Sequence, residues 1–520
     1  MNAPLYYKVA RPFVRLAGRA PAILSLTLAL TEKAARLAPE KAEYAAEHAY
    51  QLMLLENYEA AGHTLKRASS MADGADEVMP YLIKCQILKG QLNEAEMQIE
   101  FVKDMAPRPM PEMALNEALI AWLRAGDAQA SIAHLDRALE LHMSQIEKLP
   151  HDVDYFFMLN PDFLLEIGRE YLRQCSGEPG AASDDSSTTA LILSKASKLL
   201  QLVAKQVPGL LDGQMLLARA HFLRGDHDGA LRCCVACNKA DPSFSDAALL
   251  HAQILLKMEK FKQANAVLEQ VLSHNFAVRE APLFQLVKAR LLHTEKDYAE
   301  AEKLLKTAIK RLPVPGKQSD LVAGARGDLS IDERCSLHTC LVEVLLALNN
   351  LPEATAAMSR AVFEFTGSSQ EGKLTITNAK VEVEKGEVET ALSLLRGIPA
   401  ESMHYHAARK VLADLYLEHR NDRRMYAACH EEVAAANPSI SSYLMLGEAY
   451  MRVSEPEKAI AAFEQALNRS PNDAALASRI GQVLVTTHEY VKAIEYYSDA
   501  VANDPTKTSL RYEVCCSTMT

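Results

Sequence analysis

Two consecutive stretches near the end of this 520-residue chain repeat each other at a fixed spacing, and no other feature restricts its fold so strongly. Residues 441–473 read SSYLMLGEAYMRVSEPEKAIAAFEQALNRSPND, and AALASRIGQVLVTTHEYVKAIEYYSDAVANDPTK follows. The interval from Gly447 to Gly481 recurs from Ala459 to Ala493, Phe463 to Tyr497, Ala466 to Ala500 and Pro471 to Pro505. A recurrence of this length marks an array in which each unit buries its apolar face only by stacking on a neighbour.

The interval is the helix–turn–helix period of tetratricopeptide repeats, about 34 residues. Each signature position has a physical reason. Gly447 and Ala459 stand where helix A crosses helix B, so that only a small side chain lets the backbones approach. Phe463 fills the space they leave, and Ala466 admits the next helix A. Pro471 ends helix B because it has no N–H for the ladder. Glu455 and Glu457 suit the positive end of helix B.

With the small helix-B residue as marker, the series runs Ala61, Ala95, Ser131, Ala230, Ala264, Ala301, Ala354, Ala391, Ala459 and Ala493. The gap from Ala391 to Ala459 is two periods and puts a divergent repeat around Met425, with Ala413 and Tyr416 on its helix A. One period before Ala61 lies Thr27, followed by Ala34 and Pro39. The reading is about eleven helix pairs plus a degenerate start, whose helix A is spoiled by Pro12. The expected fold is all-α, a right-handed superhelical solenoid of stacked antiparallel helix pairs.

Residues 1–140 then hold the degenerate repeat and about three pairs, 210–312 three, and 335–505 five, with an incomplete repeat at 506–520. Residues 141–209 read as an irregular helical insert. In it Asn160, Pro161 and Asp162 open one helix, 176–189 is a mobile polar loop, and a second helix runs from about Ala190 to Gln206. Residues 313–334 read as an exposed loop. The basic N-terminus, with Lys8, Arg11, Arg15 and Arg19 and no acid through residue 31, has the look of a targeting segment. Its register with the array favours a first repeat instead, and its apolar run is too short to span a bilayer.

Composition narrows the function. The net charge of −11 disfavours a nucleic-acid partner, which needs a basic face. Ten scattered cysteines suit a reducing compartment better than a disulfide framework. Cys233, Cys234 and Cys237 form the most tempting cluster, but zinc would need two further ligands and only His251 follows. Cys234 and Cys237 take the places of Phe463 and Ala466, so small core cysteines are expected. His404 and His406, two apart at a helix start, point in different directions and read as exposed imidazoles. Cys335 and Cys340 read as helix-A packing positions, and Glu300 and Glu302 as solvated neighbours of a marker. No phosphate loop, HExxH pair or nucleophile elbow is present, so neither an enzyme nor a cofactor is expected. What remains is the concave face, where Leu444, Glu448, Met451, Arg452, Ser478, Gln482 and Val485 form a candidate protein-binding groove. It is too neutral for a clamp on acidic chaperone tails.

Several stretches go beyond the generic repeat: ILKGQLNEAEMQIEFV (87–102), YFFMLNPDFLLEI (155–167), VPGLL (207–211), EFTGSSQE (364–371), TITNA (375–379), LADLYLEHRND (412–422) and residues 446–497. In these the chain resembles the tetratricopeptide subunit of intraflagellar transport complex A, the tetratricopeptide repeat protein twenty-one family. The resemblance implies a non-enzymatic scaffold in dynein-driven retrograde transport and cilium assembly, located in the cilium or flagellum and basal body with a cytoplasmic pool. Its partners would be other complex A subunits of propeller-plus-helical-repeat type, transport-train components and membrane cargo adaptors, with no direct membrane insertion. Family members are much longer, so the chain reads as a partial one. The alternatives are a cytosolic adaptor or co-chaperone gripping short peptides, and a zinc or thiol-redox protein built on Cys233 and its neighbours.

Overall fold

A computed structural model describes residues 3–503 except 17–20, 56, 71–74, 106–108, 126, 148, 151–154, 156–157, 176–187, 313–328, 330, 369, 401, 403 and 471–473. The chain divides into two compact units, residues 1–337 and 338–520. Among the described residues all regular structure is helical.

In unit 1 the helices come in consecutive pairs: α1 (Ala3–Leu16) with α2 (Pro21–Leu37), α3 (Ala42–Leu54) with α4 (Tyr58–Ser69), and α5 (Ala75–Leu88) with α6 (Leu92–Met105). Next come α7 (Pro111–Ala125) with α8 (Ala128–Ile146), and α9 (Pro161–Gln174) with α10 (Thr188–Gln206). The last pairs are α11 (Leu211–Arg224) with α12 (His227–Ala240), α13 (Ser245–Lys257) with α14 (Phe261–His274), and α15 (Pro282–Glu295) with α16 (Tyr298–Arg311). Unit 2 takes up α17 (Ile331–Ala347) from His338 onward, paired with α18 (Leu351–Phe365). It continues with α19 (Glu371–Glu384) and α20 (Val388–Arg396), then α21 (Tyr405–Arg420) and α22 (Arg423–Ala436). The pairs α23 (Ile440–Arg452) with α24 (Pro456–Arg469) and α25 (Ala474–Thr486) with α26 (Tyr490–Asn503) complete it.

The turn from helix A to helix B follows one rule. Five residues before the marker the backbone turns left-handed, at Gly90, Gly225, Glu259, Lys296, Asn349, Gly386, Ser454 and His488. The next residue's N–H reaches back to a helix-A carbonyl, as from Asp226 to His221 and from Glu455 to Tyr450, both at 2.9 Å. This is the closing bond of a Schellman motif and stops helix A. That same residue often caps helix B: the side chains of Asn57, Asp127, Asp226, Asp297 and Asn350 each accept an N–H from the first turn.

The markers lie where the spacing puts them. Ala61, Ala95, Ala230, Ala264, Ala301, Ala354, Ala391, Ala459 and Ala493 are all 0% exposed, and Ser131 is 1%. At Gly447 an added Cβ would sit 2.6 Å from Cζ of Phe463, so the glycine and the ring define each other. Pro471 and Pro505 lie outside the described residues.

In the course of its helices the structure corrects the reading in three places. In the divergent repeat the left-handed residue is Asn421 and the cap is Asp422, so the marker register falls on buried Tyr426 and not on half-buried Met425. Proline does not spoil the first helix: α1 runs straight through Pro12. Burial of Ala10 and Val14 and the anchoring of Arg15 described below oppose the ~3 kcal/mol cost of an internal proline.

The third correction concerns residues 141–209. Ala196, fully buried and one period before Ala230, is an unrecognised marker. Leu200 and Val203 occupy the places of Phe463 and Ala466. Opposite them Gly168 plays the part of Gly447, since a Cβ added there would lie only 2.9 Å from Cδ2 of Leu200. Helices α9 and α10 are thus a regular pair. The stretch from Gly168 to Ala196 is more than twice as long as that from Gly447 to Ala459, so the extra chain lies in the connection between the helices. Residues 176–187 of it, the polar loop of the sequence reading, and most of 313–334 lie outside the described residues.

Candidate protein-binding surfaces

The candidate groove residues fall on one stripe of α23 and the matching stripe of α25, because spacings of three, four and seven share a helix face. Leu444, Met451 and Val485 are half-buried and lean on the unit 2 core. Ser478 is half-buried, while Glu448, Arg452 and Gln482 are exposed. The two charges are engaged within the array. Glu448 pairs with Arg479 of the next helix A, and Arg452 Nη1 donates to the Tyr426 hydroxyl at 3.4 Å. Similarly Lys380 on α19 reaches Glu343 on α17 at 2.8 Å. Charges on this face therefore tie neighbouring repeats together and offer little to an acidic peptide.

Unit 1 treats its helix-A face differently. Arg15, at the end of α1, is buried and lies 3.1 Å from Asp162 Oδ2 at the start of α9 and 3.3 Å from Glu47 Oε2 on α3. Its guanidinium also sits 4.3 Å from the ring centroid of Tyr50, whose hydroxyl donates to Asp162 at 3.0 Å. Gln51 Nε2 holds the other Glu47 oxygen at 3.2 Å. Burial would lower the Arg15 pKa, but Glu47, Tyr50 and Asp162 hold it well above its ordinary value. Beside this cluster Lys84 on α5 bonds Glu166 on α9 at 2.6 Å, and Asn116 on α7 donates to the Pro80 carbonyl at 2.9 Å. Burial pushes the Tyr81 hydroxyl up to about 12. The pocket between Tyr50, Tyr81, Lys84, Asn116, Asn160 and Glu166 measures about 20 Å³, room for about one water molecule. The start of α9 thus fills the space that α1, α3, α5 and α7 would otherwise line.

None of these residues is a candidate in the sequence reading, since Arg15 and Asp162 are 147 positions apart. The one available signal was the NPDFLLEI segment, singled out for its resemblance, which contains Asp162, Phe163 and Glu166.

Cys234 is buried in a small core with Ala218, Ala230 and Ile254, with Cys233 half-buried at its edge, and Cys237 is buried with its thiol toward the Leu211 carbonyl. Burial raises both buried thiols to about 12, which leaves them protonated and poorly nucleophilic. Cys335 and Cys340 are buried on α17, and Glu300 is exposed beside Ala301 with Glu302 half-buried. His404 departs from the reading: it is buried under the start of α21 against Gly372, while His406 is exposed. The expectation of two exposed imidazoles fails because the preceding turn folds back onto α19. Among the described residues no group of three or more His, Cys, Asp or Glu could hold a metal, and no helix is long and apolar enough to cross a membrane.

Comparison with known proteins gives these features a family context. Residues 1–259 match the tetratricopeptide repeat protein 21 second ARM domain, 276–433 that protein's ARM repeat, and 476–516 its fourth ARM domain. Residues 440–473 match a general tetratricopeptide repeat. Tetratricopeptide repeat protein 21B of Homo sapiens is 36% identical over 507 residues, covering 96% of this chain and 38% of that protein. Tetratricopeptide repeat protein 21A of Mus musculus is 35% identical over 502 residues, with the same two shares. The Caenorhabditis elegans homolog is 30% identical over 364 residues, 70% of this chain and 27% of that protein. The chain therefore spans well under half the length of the curated relatives it matches. Among solved structures, the APC/C hetero-tetramer Cut9-Hcn1 aligns over 95% of this chain and 93% of that one at 12% identity, with a TM-score of 0.42. A human IFIT1 dimer aligns over 83% and 91% at 13% identity, with a TM-score of 0.46. Both scores are too low to add to the family match.

Proposed function

The chain belongs to the tetratricopeptide repeat protein 21 family, and from that premise we propose that it works as a non-enzymatic scaffold in intraflagellar transport complex A. Its partners are other subunits of that complex, of propeller-plus-helical-repeat type, together with transport-train components and membrane cargo adaptors. Its place is the cilium or flagellum and the basal body, with a cytoplasmic pool, in retrograde transport and cilium assembly.

One observation supports this reading above the rest. The in-order match runs through 96% of the chain, and the second ARM domain match at residues 1–259 includes the segment around Asp162. That segment joins the helix-A faces of the first, second and fifth pairs through a buried ionic cluster. A segment inside the family match thus carries a specific three-dimensional device. The co-chaperone alternative draws no support from the groove, because Glu448 and Arg452 are already bonded within the array.

The test is affinity capture of the tagged chain from ciliated cells, with imaging of the same tag. Recovery of complex A subunits and axonemal signal are the expected results. A capture that contains none of those subunits, from a chain shown to be folded, overturns the reading.

A further inference from the structure

On α6 the helix-B solvent face departs from the pattern of α4, α12 and α16. Residues two and six after the marker are exposed His63 and Arg67 on α4, Arg232 and Ala236 on α12, and Lys303 and Thr307 on α16. These are the small, polar or charged side chains that water favours. On α6 the same two places hold Met97 and Phe101, which are 63% and 60% exposed. They are one helical turn apart and so form a single apolar ridge. Scattered single hydrophobics on a surface need no explanation, but two large ones side by side, both more than half exposed, in a register that holds small, polar or charged side chains on α4, α12 and α16 do.

The ridge is bordered by charge of one sign. Glu94 and Asp104 continue its line at either end, and Glu100 lies beside it. All three are exposed, and none is in an ion pair among the described residues. By contrast the neighbouring Glu96 pairs with Arg124 and Lys103 pairs with Glu117. Repeat packing thus consumes the charges at the flanks of α6 and leaves three carboxylates around an exposed methionine and phenylalanine. Both residue types are enriched in interface cores.

We propose that this face of α6 docks a basic amphipathic helix. An apolar stripe on that helix would cover Met97 and Phe101, and Lys or Arg on either side of the stripe would meet Glu94, Glu100 and Asp104. A helix fits better than an extended strand, since α6 presents no free backbone edge and its ridge runs along the helix axis. This inference goes beyond the scaffold reading and does not depend on it: it concerns one surface and one partner chemistry, whichever assembly the chain joins.

The test uses the full chain and three synthetic 18-residue peptides: a Leu/Lys amphipathic helix, a scrambled peptide of the same composition, and a Leu/Glu amphipathic helix. Binding is read by fluorescence anisotropy. The Leu/Lys helix should bind, and the paired substitution Met97→Ser with Phe101→Ser should weaken it ~10-fold or more, as loss of central anchors does. These side chains are exposed, so an unchanged circular dichroism melt shows that the variant is folded. The triple substitution Glu94→Lys, Glu100→Lys and Asp104→Lys should transfer binding to the Leu/Glu helix. A diazirine on the Leu/Lys peptide should label residues 94–104. The proposal is overturned if the scrambled peptide binds as well as the amphipathic one, if the serine variant binds unchanged, or if the label falls elsewhere. It is equally overturned if sedimentation shows that Phe101 instead drives self-association of the chain.

Discussion

In unit 1 a cluster of charges on the helix-A face, around Arg15, is shut away from water, whereas in unit 2 the helix-A pair Glu448 and Arg479 lies open to it. Arg15, Glu47 and Asp162 have side chains only 4%, 6% and 0% exposed, and they join helices from the first, second and fifth pairs. Glu448 and Arg479 are 57% and 49% exposed and join adjacent pairs. The same kind of ion pair has different consequences in the two settings. In water its attraction is screened and offset by side-chain entropy. Buried, it is strong but has to overcome the desolvation of both groups. The unit 1 cluster therefore acts chiefly on specificity: it fixes which helix α1 and α9 meet, because any other partner strands a buried charge.

The most severe way to break this contrast is Arg15→Ala. It leaves Glu47 and Asp162 buried without their cation and should cost ~3–5 kcal/mol. Trp122, the only tryptophan of the chain, lies on α7 in unit 1, so its fluorescence during denaturation follows that unit. A triple replacement, Arg15→Met with Glu47→Leu and Asp162→Leu, should recover most of the loss if the cluster governs specificity more than stability. Failure to recover would show that the charges themselves stabilise the unit.

Next in size are the two equivalent glycines. At Gly447 a methyl group meets the rigid Phe463 ring, with Cζ at 2.6 Å, so Gly447→Ala should cost ~1–3 kcal/mol by overpacking. At Gly168 the obstacle is a Leu200 methyl at 2.9 Å, which can rotate away. Gly168→Ala should cost less, since alanine also returns ~0.5–1 kcal/mol of helix propensity. Thermal melts of the two variants, read by Trp122 for unit 1 and by circular dichroism for the whole chain, should rank them in that order.

A smaller effect comes from acid. Burial lowers the pKa of His142 in unit 1 and of His430 in unit 2 below the ordinary 6.5. The unfolded chain then binds protons more readily than the folded one, so stability present above pH 6.5 declines as pH falls below it. His142→Gln should flatten that decline in the Trp122 signal. The far-UV decline contributed by unit 2 should persist, and a decline of Trp122 unchanged by the substitution would assign the acid sensitivity to other groups.

The weakest expected change is Glu448→Gln, at ~0.2–1 kcal/mol and less in high salt. A loss as large as that of Arg15→Ala would erase the distinction between the two faces.

Much of the array was legible in residue spacing because the interactions that build it are local. The small marker, the bulky residue four later and the turn between paired helices all lie within one repeat, so Ala459, Phe463 and Gly447 announce their contacts. Register failed where the spacing was altered. The extra chain between Gly168 and Ala196 concealed a regular pair, and Tyr426 at a crossing normally held by alanine displaced the divergent repeat by one position. Pro12 misled because propensity is a local cost that tertiary burial overrides. The candidate groove of α23 and α25 was located as a face, but its engagement was not, since the partner of Glu448 sits 31 residues away on another helix.

Residue pattern by itself determined that the chain forms stacked helix pairs, which small residues stand at their crossings, and that Cys234, Cys237, Cys335 and Cys340 fill core positions. A fixed period suffices for these because each contact recurs at the same short separation. Tertiary structure alone decided that Arg15 meets Asp162, that His404 turns inward, and that Met97 and Phe101 remain uncovered. Those outcomes depend on how several repeats add up in space, and no pair of neighbouring residues encodes that sum.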